Sequence, residues 1–326
     1  MKAILCRSFG PIDDLALEEV DPPHPGAHQL RVRVDAAGVN FPDTLIVQGK
    51  YQFKPPFPFS PGGEIAGEVI ELGERVQGFS VGDRIMAAIG WGGFAEEVVV
   101  DAAQALPVPA SMPIEIAGAF LLTYATSYHA LVDRARLRPG ETLAVLGAAG
   151  GVGLSAVEIG KALGARVIAC ASSAEKLELC KAHGADLTID YGQQDLKTAL
   201  GEATGGAGVD VVYDPVGGAL SEPALRRMAW GGRFLVVGFA SGDIPRIPLN
   251  LPLLKGCEVV GVFWGAFAAR EPERFAAHVE ALAELHAKGA LAPHIHGTYA
   301  LEQVKDALHD LETRRVRGKA VVVPRR

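Results

Sequence analysis

The stretch that decides the fold is Thr142-Leu-Ala-Val-Leu-Gly-Ala-Ala-Gly-Gly-Val-Gly-Leu-Ser-Ala-Val-Glu-Ile-Gly-Lys-Ala-Leu-Gly-Ala-Arg-Val-Ile-Ala-Cys-Ala171. A short apolar run ends in glycines, a segment of helical periodicity follows, and a second apolar run closes the unit. This order is the one that a dinucleotide-binding βαβ unit requires. A glycine turn in another kind of α/β protein is the alternative, but the flanking strand, helix and strand favour dinucleotide binding.

The glycines supply the backbone geometry that a pyrophosphate needs. Glycine adopts a positive φ without strain, and the missing Cβ lets the backbone approach the phosphate closely. A helix predicted to begin near Val152 directs its free N–H groups at the same phosphate. The predicted phosphate-binding residues are Gly147, Ala148, Gly150, Gly151, Val152 and Gly153.

Size and charge exclude several classes of protein. The chain has 326 residues, 49% hydrophobic and 21% charged, enough for two domains of an ordinary soluble protein. A net charge of −7 argues against nucleic acid or an anionic membrane as the main partner. No apolar run reaches the length of a membrane span, and the N-terminus has no signal-peptide core, so a cytoplasmic location is expected. The four cysteines have no C-x-x-C spacing, which predicts buried free thiols rather than a zinc cluster or disulfides.

The pattern of apolar residues changes near residue 121. Before it, strands are predicted at 30–36, 65–72 and 95–100, separated by Gly and Pro. After it, strands at 187–191, 209–214, 234–239 and 259–264 alternate with helices near 175–183, 193–203 and 219–229. With the opening unit these make a doubly wound parallel sheet of six strands, an α/β fold with its ligand at the carboxyl ends of the strands. Helices at 273–288 and 301–313 follow, and a strand at 318–324 could return to the first domain.

The residues after the second strand of the βαβ unit indicate the form of the cofactor. NAD sites place a carboxylate there for the ribose 2′-hydroxyl, and no Asp or Glu precedes Glu175. Ser172, Ser173 and Lys176 are instead suited to a 2′-phosphate, because hydroxyls donate hydrogen bonds and the ammonium supplies charge. Ser173 could equally cap the next helix while Lys176 is a surface residue, and both interpretations can hold together. NADPH is therefore predicted over NADH.

Five motifs carry a family resemblance: Ala36-Ala-Gly-Val-Asn-Phe-Pro-Asp43, Gly62-Gly-Glu-Ile-Ala-Gly-Glu-Val69, Gly78-Phe-Ser-Val-Gly-Asp-Arg-Ile85, Ala148-Ala-Gly-Gly-Val-Gly153 and Asp214-Pro-Val-Gly-Gly218. Together they resemble the medium-chain dehydrogenase/reductase superfamily, in its zinc-independent quinone oxidoreductase branch. The resemblance covers essentially the whole chain. It implies a GroES-like β-rich catalytic domain at 1–121 plus 266–326 and a Rossmann NADPH-binding domain at 122–265.

The chain departs from the zinc alcohol dehydrogenases of that superfamily at their ligand positions. Their cysteine falls on Asn40, their histidine falls on Gly63 beside a retained Glu64, and their third ligand falls near Leu122. These residues cannot hold Zn²⁺, so alcohol oxidation through a Lewis acid is disfavoured. No tyrosine has a lysine four residues on, so a Tyr-x-x-x-Lys proton donor is absent as well. Hydride transfer to an acceptor that is already electrophilic remains, and quinones and α,β-unsaturated carbonyls qualify.

The resemblance implies three catalytic residues, each with a structural alternative. Asn40 would line the nicotinamide and acceptor pocket, or serve a turn. Tyr51 would hydrogen-bond the acceptor oxygen or pass a proton, or pack on the proline-rich segment. Thr126 would touch the nicotinamide, or hydrogen-bond its own helix backbone.

The resemblance also implies further cofactor contacts. Tyr191 resembles a residue near the adenosine phosphate, or packs at the end of its strand. Gly238 and Phe239 resemble the strand end beneath the nicotinamide, and Phe263 belongs to the wall of the same cleft or to a subunit contact. Lys319 resembles a C-terminal cofactor contact, with a plain surface lysine as the alternative.

Two other functions stay open at this point. An enoyl-thioester reductase acting on acyl-CoA or acyl-carrier substrates shares the surroundings of Tyr51, and Lys50, Lys54 and Arg270 could then meet the CoA phosphate. A protein that binds NADPH without catalysis is the alternative from another class. Related proteins pair the edge strands of their nucleotide sheets, so a homodimer through residues 259–264 is expected.

Overall fold

A computed structural model describes residues 1–325. Its strands are β1 (Lys2–Leu5), β2 (Ala16–Glu19), β3 (Gln29–Val39), β4 (Glu64–Leu72), β5 (Arg84–Ala88), β6 (Glu97–Asp101), β7 (Ala105–Pro107), β8 (Thr142–Leu146), β9 (Arg166–Ala171), β10 (Leu187–Asp190), β11 (Val209–Asp214), β12 (Met228–Val236), β13 (Glu258–Gly261), β14 (Ile295–Ala300) and β15 (Lys319–Val323).

The helices are α1 (Phe41–Val47), α2 (Ile114–Ala117), α3 (Thr126–Tyr128), α4 (Gly151–Ala162), α5 (Ala174–Ala182), α6 (Leu196–Ala203), α7 (Ser221–Leu225), α8 (Asn250–Lys255), α9 (Trp264–Arg270), α10 (Pro272–Ala287) and α11 (Val304–Glu312). Two π-helical segments, Leu121–Ala125 and His129–Arg134, flank α3. Within residues 1–325, no helix has both the length and the apolar character needed to cross a membrane.

The chain divides into two units. Met1–Leu122 and the described residues from Pro293 onward form the β-rich unit, and Thr123–Ala292 form the nucleotide unit. The first boundary lies within one residue of the predicted one, but the return to the β-rich unit comes at Pro293 instead of residue 266. The reason is that α10 packs inside the nucleotide unit, where its His278 ring lies 5.1 Å from the Phe267 ring and Leu282 is fully buried.

The nucleotide unit contains the predicted doubly wound sheet. Its six strands are all parallel, in the order β10-β9-β8-β11-β12-β13. The strand order reverses between β8 and β11, and in such sheets the ligand binds beyond the carboxyl ends of the strands at that point. The core of this unit lies against the sheet and includes Ile168, Leu200, Val212 and Leu225.

Three predicted elements of this unit have different bounds in the structure. The helix predicted at 219–229 is a 3₁₀ turn, Gly218–Leu220, followed by α7, which ends at Leu225. Strand β12 begins at Met228, six residues before the predicted start, and its pairing with β11 contains an irregularity in register. Strand β13 stops at Gly261, so Phe263 lies between the strand and α9 and not within a strand.

The β-rich unit is built on a seven-stranded sheet. Its path is β14-β15-β3-β4-β5-β7, with β6 paired to β3 beside it. The predicted return of the final strand is confirmed, because β15 pairs antiparallel with β3, placing Val322 opposite Ala37. The core of this unit combines inward residues of the strands with the apolar face of α11, among them Val32, Ile65, Ile85, Val304 and Leu308.

The glycine loop after β8 is shaped by two of its glycines. Gly147 has φ = +60°, a conformation that L side chains rarely adopt. At Gly153 a Cβ would lie 2.3 Å from the carbonyl oxygen of Gly147, so α4 packs against the loop through bare backbone. Gly150 differs, because its φ of −80° is ordinary and it is the N-cap of α4. Glycine is thus required at positions 147 and 153 by the conformation of the loop and its packing against α4.

Candidate functional site

The glycine loop lies at the carboxyl end of the parallel sheet. The backbone N–H of Ala148 donates to the carbonyl of Cys170 at 3.0 Å, which fixes the loop beside β9. The N–H of Gly150 donates back to Gly147 at 3.0 Å, closing the turn from which α4 starts. The first N–H groups of α4 point away from the helix body and carry its positive dipole end, which is suited to an anionic phosphate. The predicted phosphate-binding residues therefore lie together.

Polar residues follow β9 and β10 at the same edge of the sheet. Ser173 caps α5 by accepting from the backbone N–H of Lys176, and the ammonium of Lys176 donates to Ser172 Oγ at 3.3 Å. The backbone N–H of Tyr191 donates to the carbonyl of Ala171 at 3.1 Å, which brings Tyr191 beside this group. The capping role of Ser173 is present, and it leaves Ser172 and Lys176 together at the position predicted for a ribose 2′-phosphate.

The loops after β11 and β12 are both bound by Asp214, a residue to which the sequence analysis gave no role. Asp214 is buried and accepts from the backbone N–H groups of Val216 and Gly217, both at 2.9 Å, and from Ser221 Oγ at 2.6 Å. The N–H groups of Val237 and Gly238 donate to the Asp214 carbonyl. The backbone at Gly238 and Phe239 is thereby fixed against the Asp-Pro-Val-Gly-Gly motif. The acidic residue at the start of this motif, at the end of an apolar strand, could have indicated this role in the sequence.

Thr126 begins the short helix α3 between the two π-helical segments. π-Helical turns are rare and often mark functional positions. The adjacent Ser127 anchors this segment, because its Oγ lies 2.8 Å from both Ser155 Oγ and the Tyr213 hydroxyl and donates to the carbonyl of Val152 at 2.9 Å. Burial raises the pKa of Tyr213, so its hydroxyl keeps its proton. The hydrogen bond between Ser127 and Tyr213 was not predicted from the sequence. A tyrosine inside an apolar strand does indicate that its hydroxyl has a buried hydrogen-bond partner.

The β-rich unit contains a buried cation. Lys319 is 4% exposed, and its ammonium donates to Glu64 Oε1 at 2.8 Å, to the carbonyl of Val39 at 3.1 Å and to Asn40 Oδ1. These acceptors use all three ammonium protons. Asn40 Nδ2 donates to Glu64 Oε1 at 2.9 Å, and the backbone N–H of Leu122 donates to Glu64 Oε2 at 3.0 Å. The surface-lysine alternative for Lys319 is therefore wrong, while its contact with a cofactor stays a prediction.

Comparison with known proteins follows the same division of the chain. Residues 26–110 match the family model described as alcohol dehydrogenase GroES-like domain, and residues 151–284 match the one described as zinc-binding dehydrogenase. A quinone oxidoreductase-like protein 2 homolog from Nematostella vectensis is 38% identical, over 98% of this chain and 88% of the relative. The chain belongs to the quinone oxidoreductase branch of the medium-chain dehydrogenase/reductase superfamily.

Solved structures agree with this membership. A mycobacterial protein complexed with NADPH has a TM-score of 0.93 and 32% identity, covering 99% of this chain and all of that one. The quinone oxidoreductase of Escherichia coli complexed with NADPH has a TM-score of 0.93 and 29% identity, with 99% and 100% covered. As a member of this branch the chain is an oxidoreductase.

Asn40, predicted to line the acceptor pocket of the oxidoreductase, has a structural role in its own unit. It precedes α1, and its backbone N–H donates to Asp43 Oδ2 at 2.7 Å. Asp43 Oδ1 accepts from the N–H of Gly62 at 3.2 Å. Desolvation by complete burial raises the pKa of Asp43 to about 7, against the opposing effects of these N–H groups and of Lys319. The turn role of Asn40 is present, and its pocket role stays a prediction.

Tyr51 lies near the same cluster. It packs against the core of the β-rich unit, and its ring lies 5.0 Å from that of Phe53 in an edge-on contact. Burial and the charge of Asp43 raise the pKa of its phenol, so the hydroxyl stays protonated at neutral pH. The ring of Tyr51 thus has the expected packing role, and its hydroxyl can still donate a hydrogen bond.

The raised pKa of Asp43 predicts a pH dependence of stability. The folded state holds this proton up to a pH near 7, while the unfolded chain releases it near 3.8. The contribution of Asp43 to the free energy of unfolding is therefore largest below pH 4 and decreases as the pH rises to 7. In Asp43→Asn this decrease, on the order of a few kcal/mol, should disappear. Denaturant unfolding between pH 4 and 8 measures it.

The control is Asp21→Asn, which changes an exposed carboxylate in the same unit. It should keep the slope of the unaltered protein. The Asp43 interpretation fails if Asp43→Asn and Asp21→Asn show the same dependence of unfolding free energy on pH. Because the slope is compared and not the absolute stability, a general loss of stability in Asp43→Asn does not affect the result.

Proposed function

We propose that this oxidoreductase uses NADPH to reduce quinones or other α,β-unsaturated carbonyls, and that it does so without a catalytic zinc. The observation that carries the proposal is the ammonium of Lys319, which is bound by Asn40 and Glu64 at the place where zinc-dependent relatives have ligands. A fixed positive charge there opposes a divalent cation by Coulomb repulsion, and the Glu64 carboxylate has no oxygen left uncommitted. Alcohol oxidation through a metal is accordingly not part of the proposal.

The nucleotide unit fits NADPH by its own geometry. The positive φ of Gly147 and the close packing of α4 against the loop at Gly153 shape the turn so that the first N–H groups of α4 can face a pyrophosphate. Ser172 with Lys176 provides donors and charge for the 2′-phosphate. Thr126, Gly238 and Phe239 are proposed to hold the nicotinamide end. When bound, the cofactor supplies a hydride, and the protein's part is to orient the reactants and keep water away.

Tyr51 is proposed to supply the hydrogen bond that the acceptor needs. Hydride addition to a quinone or enone moves negative charge onto a carbonyl oxygen, and a proton must follow to give the hydroquinone or saturated ketone. A phenol that stays protonated can donate to that oxygen as charge develops. The net reaction consumes one NADPH and one proton for each acceptor reduced by two electrons.

The substrate class is tested by steady-state oxidation of NADPH with 1,4-benzoquinone, 2-cyclohexenone and crotonyl-CoA. Turnover with the first two is expected, and it should persist after dialysis against a chelator. Tyr51→Phe should lower kcat/KM about tenfold, the effect of one lost hydrogen bond to developing charge. Tyr299→Phe removes a hydroxyl that is bonded to Asp310 in the same unit and should leave turnover unchanged.

Three other outcomes would each reject one part of the proposal. A strong preference for crotonyl-CoA would identify an enoyl-thioester reductase. Binding of NADPH in calorimetry without turnover of any acceptor would identify a non-catalytic nucleotide-binding protein. Loss of activity on chelation that zinc restores would reject zinc independence.

Lys176 is expected to set the preference for NADPH over NADH. In Lys176→Ala the dissociation constant for NADPH should rise about tenfold, because one charge-assisted contact is lost, and that for NADH should stay the same. Lys181→Ala is the matched control, since Lys181 lies on the same helix and pairs with Glu178. Equal weakening of both cofactors in Lys176→Ala would reject a 2′-phosphate contact.

The exposed edge of the parallel sheet supports a homodimer. Strand β13 is the last strand of the sheet, with Val259 49% exposed, and Trp230 on β12 and Leu253 on α8 are 84% and 78% exposed. Unpaired apolar edges of this kind are covered in stable proteins. Sedimentation should show a dimer that Val259→Lys shifts toward monomer, while Val81→Lys, an exposed valine of the β-rich unit, has no effect. A monomer at micromolar concentration would reject the dimer.

A further inference from the structure

Two histidines and an aspartate share a largely buried position in the nucleotide unit. His129 and Asp133 lie in the π-helical segment after α3, and His278 lies on α10. Asp133 Oδ2 is 2.6 Å from His129 Nδ1 and 3.3 Å from His278 Nε2. One potential ligand atom from each of the three residues lies within 4.8 Å of the other two.

Hydrogen bonding alone leaves this cluster incompletely satisfied. One carboxylate oxygen, Asp133 Oδ2, faces both imidazoles, through His129 Nδ1 and His278 Nε2. The other nitrogen of the His278 ring, Nδ1, is buried without a hydrogen-bond partner among residues 1–325. The His129 ring stacks on Phe267 at 4.0 Å, which helps to exclude water.

We propose that His129, Asp133 and His278 bind a divalent transition-metal ion of borderline softness, such as Zn²⁺. Two imidazoles and one carboxylate, with water in the fourth position, form a familiar ligand set for this ion. Zinc bonds of about 2.0–2.1 Å place tetrahedral ligand atoms about 3.3 Å apart. The carboxylate oxygen therefore has to move away from His129 by less than 1 Å while the imidazoles approach each other.

Arg274 is the group that competes with the metal. Its Nη2 donates to Asp133 Oδ1 at 2.7 Å, and its Nη1 bonds Glu271. The side chain is 54% exposed and lies over the Phe267 ring at 5.5 Å. Because Glu271 already holds one end of the guanidinium, Arg274 can leave Asp133 without losing its ion pair. The ion would then replace one positive charge at Asp133 with another.

Occupation of this site would join two elements of the nucleotide unit. His129 and Asp133 follow Thr126 closely in the chain, while His278 belongs to α10. A metal bonded to both would fix the segment that carries Thr126 relative to α10. The expected effects are therefore on the stability of the nucleotide unit and on the order of this segment.

The test uses the full chain, freed of any affinity tag and treated with chelator. Titration with Zn²⁺ against a chromophoric chelator should give one site per chain. Both His278→Gln and Asp133→Asn should weaken it by at least about tenfold, whereas His24→Gln, at an exposed histidine, should not. Arg274→Gln should tighten binding several-fold by removing the competing cation.

Cobalt provides a measurement that does not depend on these variants folding. Co²⁺ at this site should give visible d–d absorption without the near-ultraviolet charge-transfer band of a thiolate ligand. The proposal is overturned if the chain binds no Zn²⁺, if His278→Gln folds and binds as well as the unaltered chain, if Arg274→Gln weakens binding, or if the cobalt spectrum contains the thiolate band.

Discussion

The ion pair between Lys319 and Glu64 is the interaction on which the β-rich unit depends. Both groups are almost completely buried, so each requires the other to offset the cost of leaving water. Removing one partner of such a pair typically costs about 3–5 kcal/mol, because a buried charge is left uncompensated. The pair also fixes Asn40 at the end of β3 and the backbone of Leu122, so it orients the proposed acceptor side of the site.

Two basic side chains, Lys319 and Arg274, lie beside carboxylates that could bind a metal ion. They differ in how easily a metal ion could displace them. Lys319 has all its donors satisfied by buried acceptors and no second carboxylate to move to. Arg274 is half exposed and keeps Glu271 as a partner if it leaves Asp133. Displacing the first cation would leave unpaired charge in the interior, whereas displacing the second would not. The difference follows from burial and from the number of available acceptors.

Patterns that are local in the chain were predicted well, and contacts between distant residues were not. Short apolar runs that alternate with helical segments, together with the glycine spacing, predicted the six parallel strands, because the signals for strand, turn and helix each lie within a few residues. The apolar stripe of α10 did not indicate which unit it packs against, so residues 266–292 were placed in the wrong unit. The pairings of Lys319 with Glu64 and of Ser127 with Tyr213 join residues 255 and 86 positions apart, beyond any local signal.

The position of β15 has a consequence for the order in which the two units fold during synthesis. Residues 123–292 form one uninterrupted segment, so the nucleotide unit can fold while the ribosome is still adding residues. The β-rich unit begins first but cannot finish, because β15 pairs with β3 and brings the ammonium that Glu64 and Asn40 require. Residues 1–122 therefore contain a carboxylate without its counter-ion until Lys319 has been synthesised. Removal of β15 would thus leave Glu64 and Asn40, which are synthesised much earlier, without the cation that they bind.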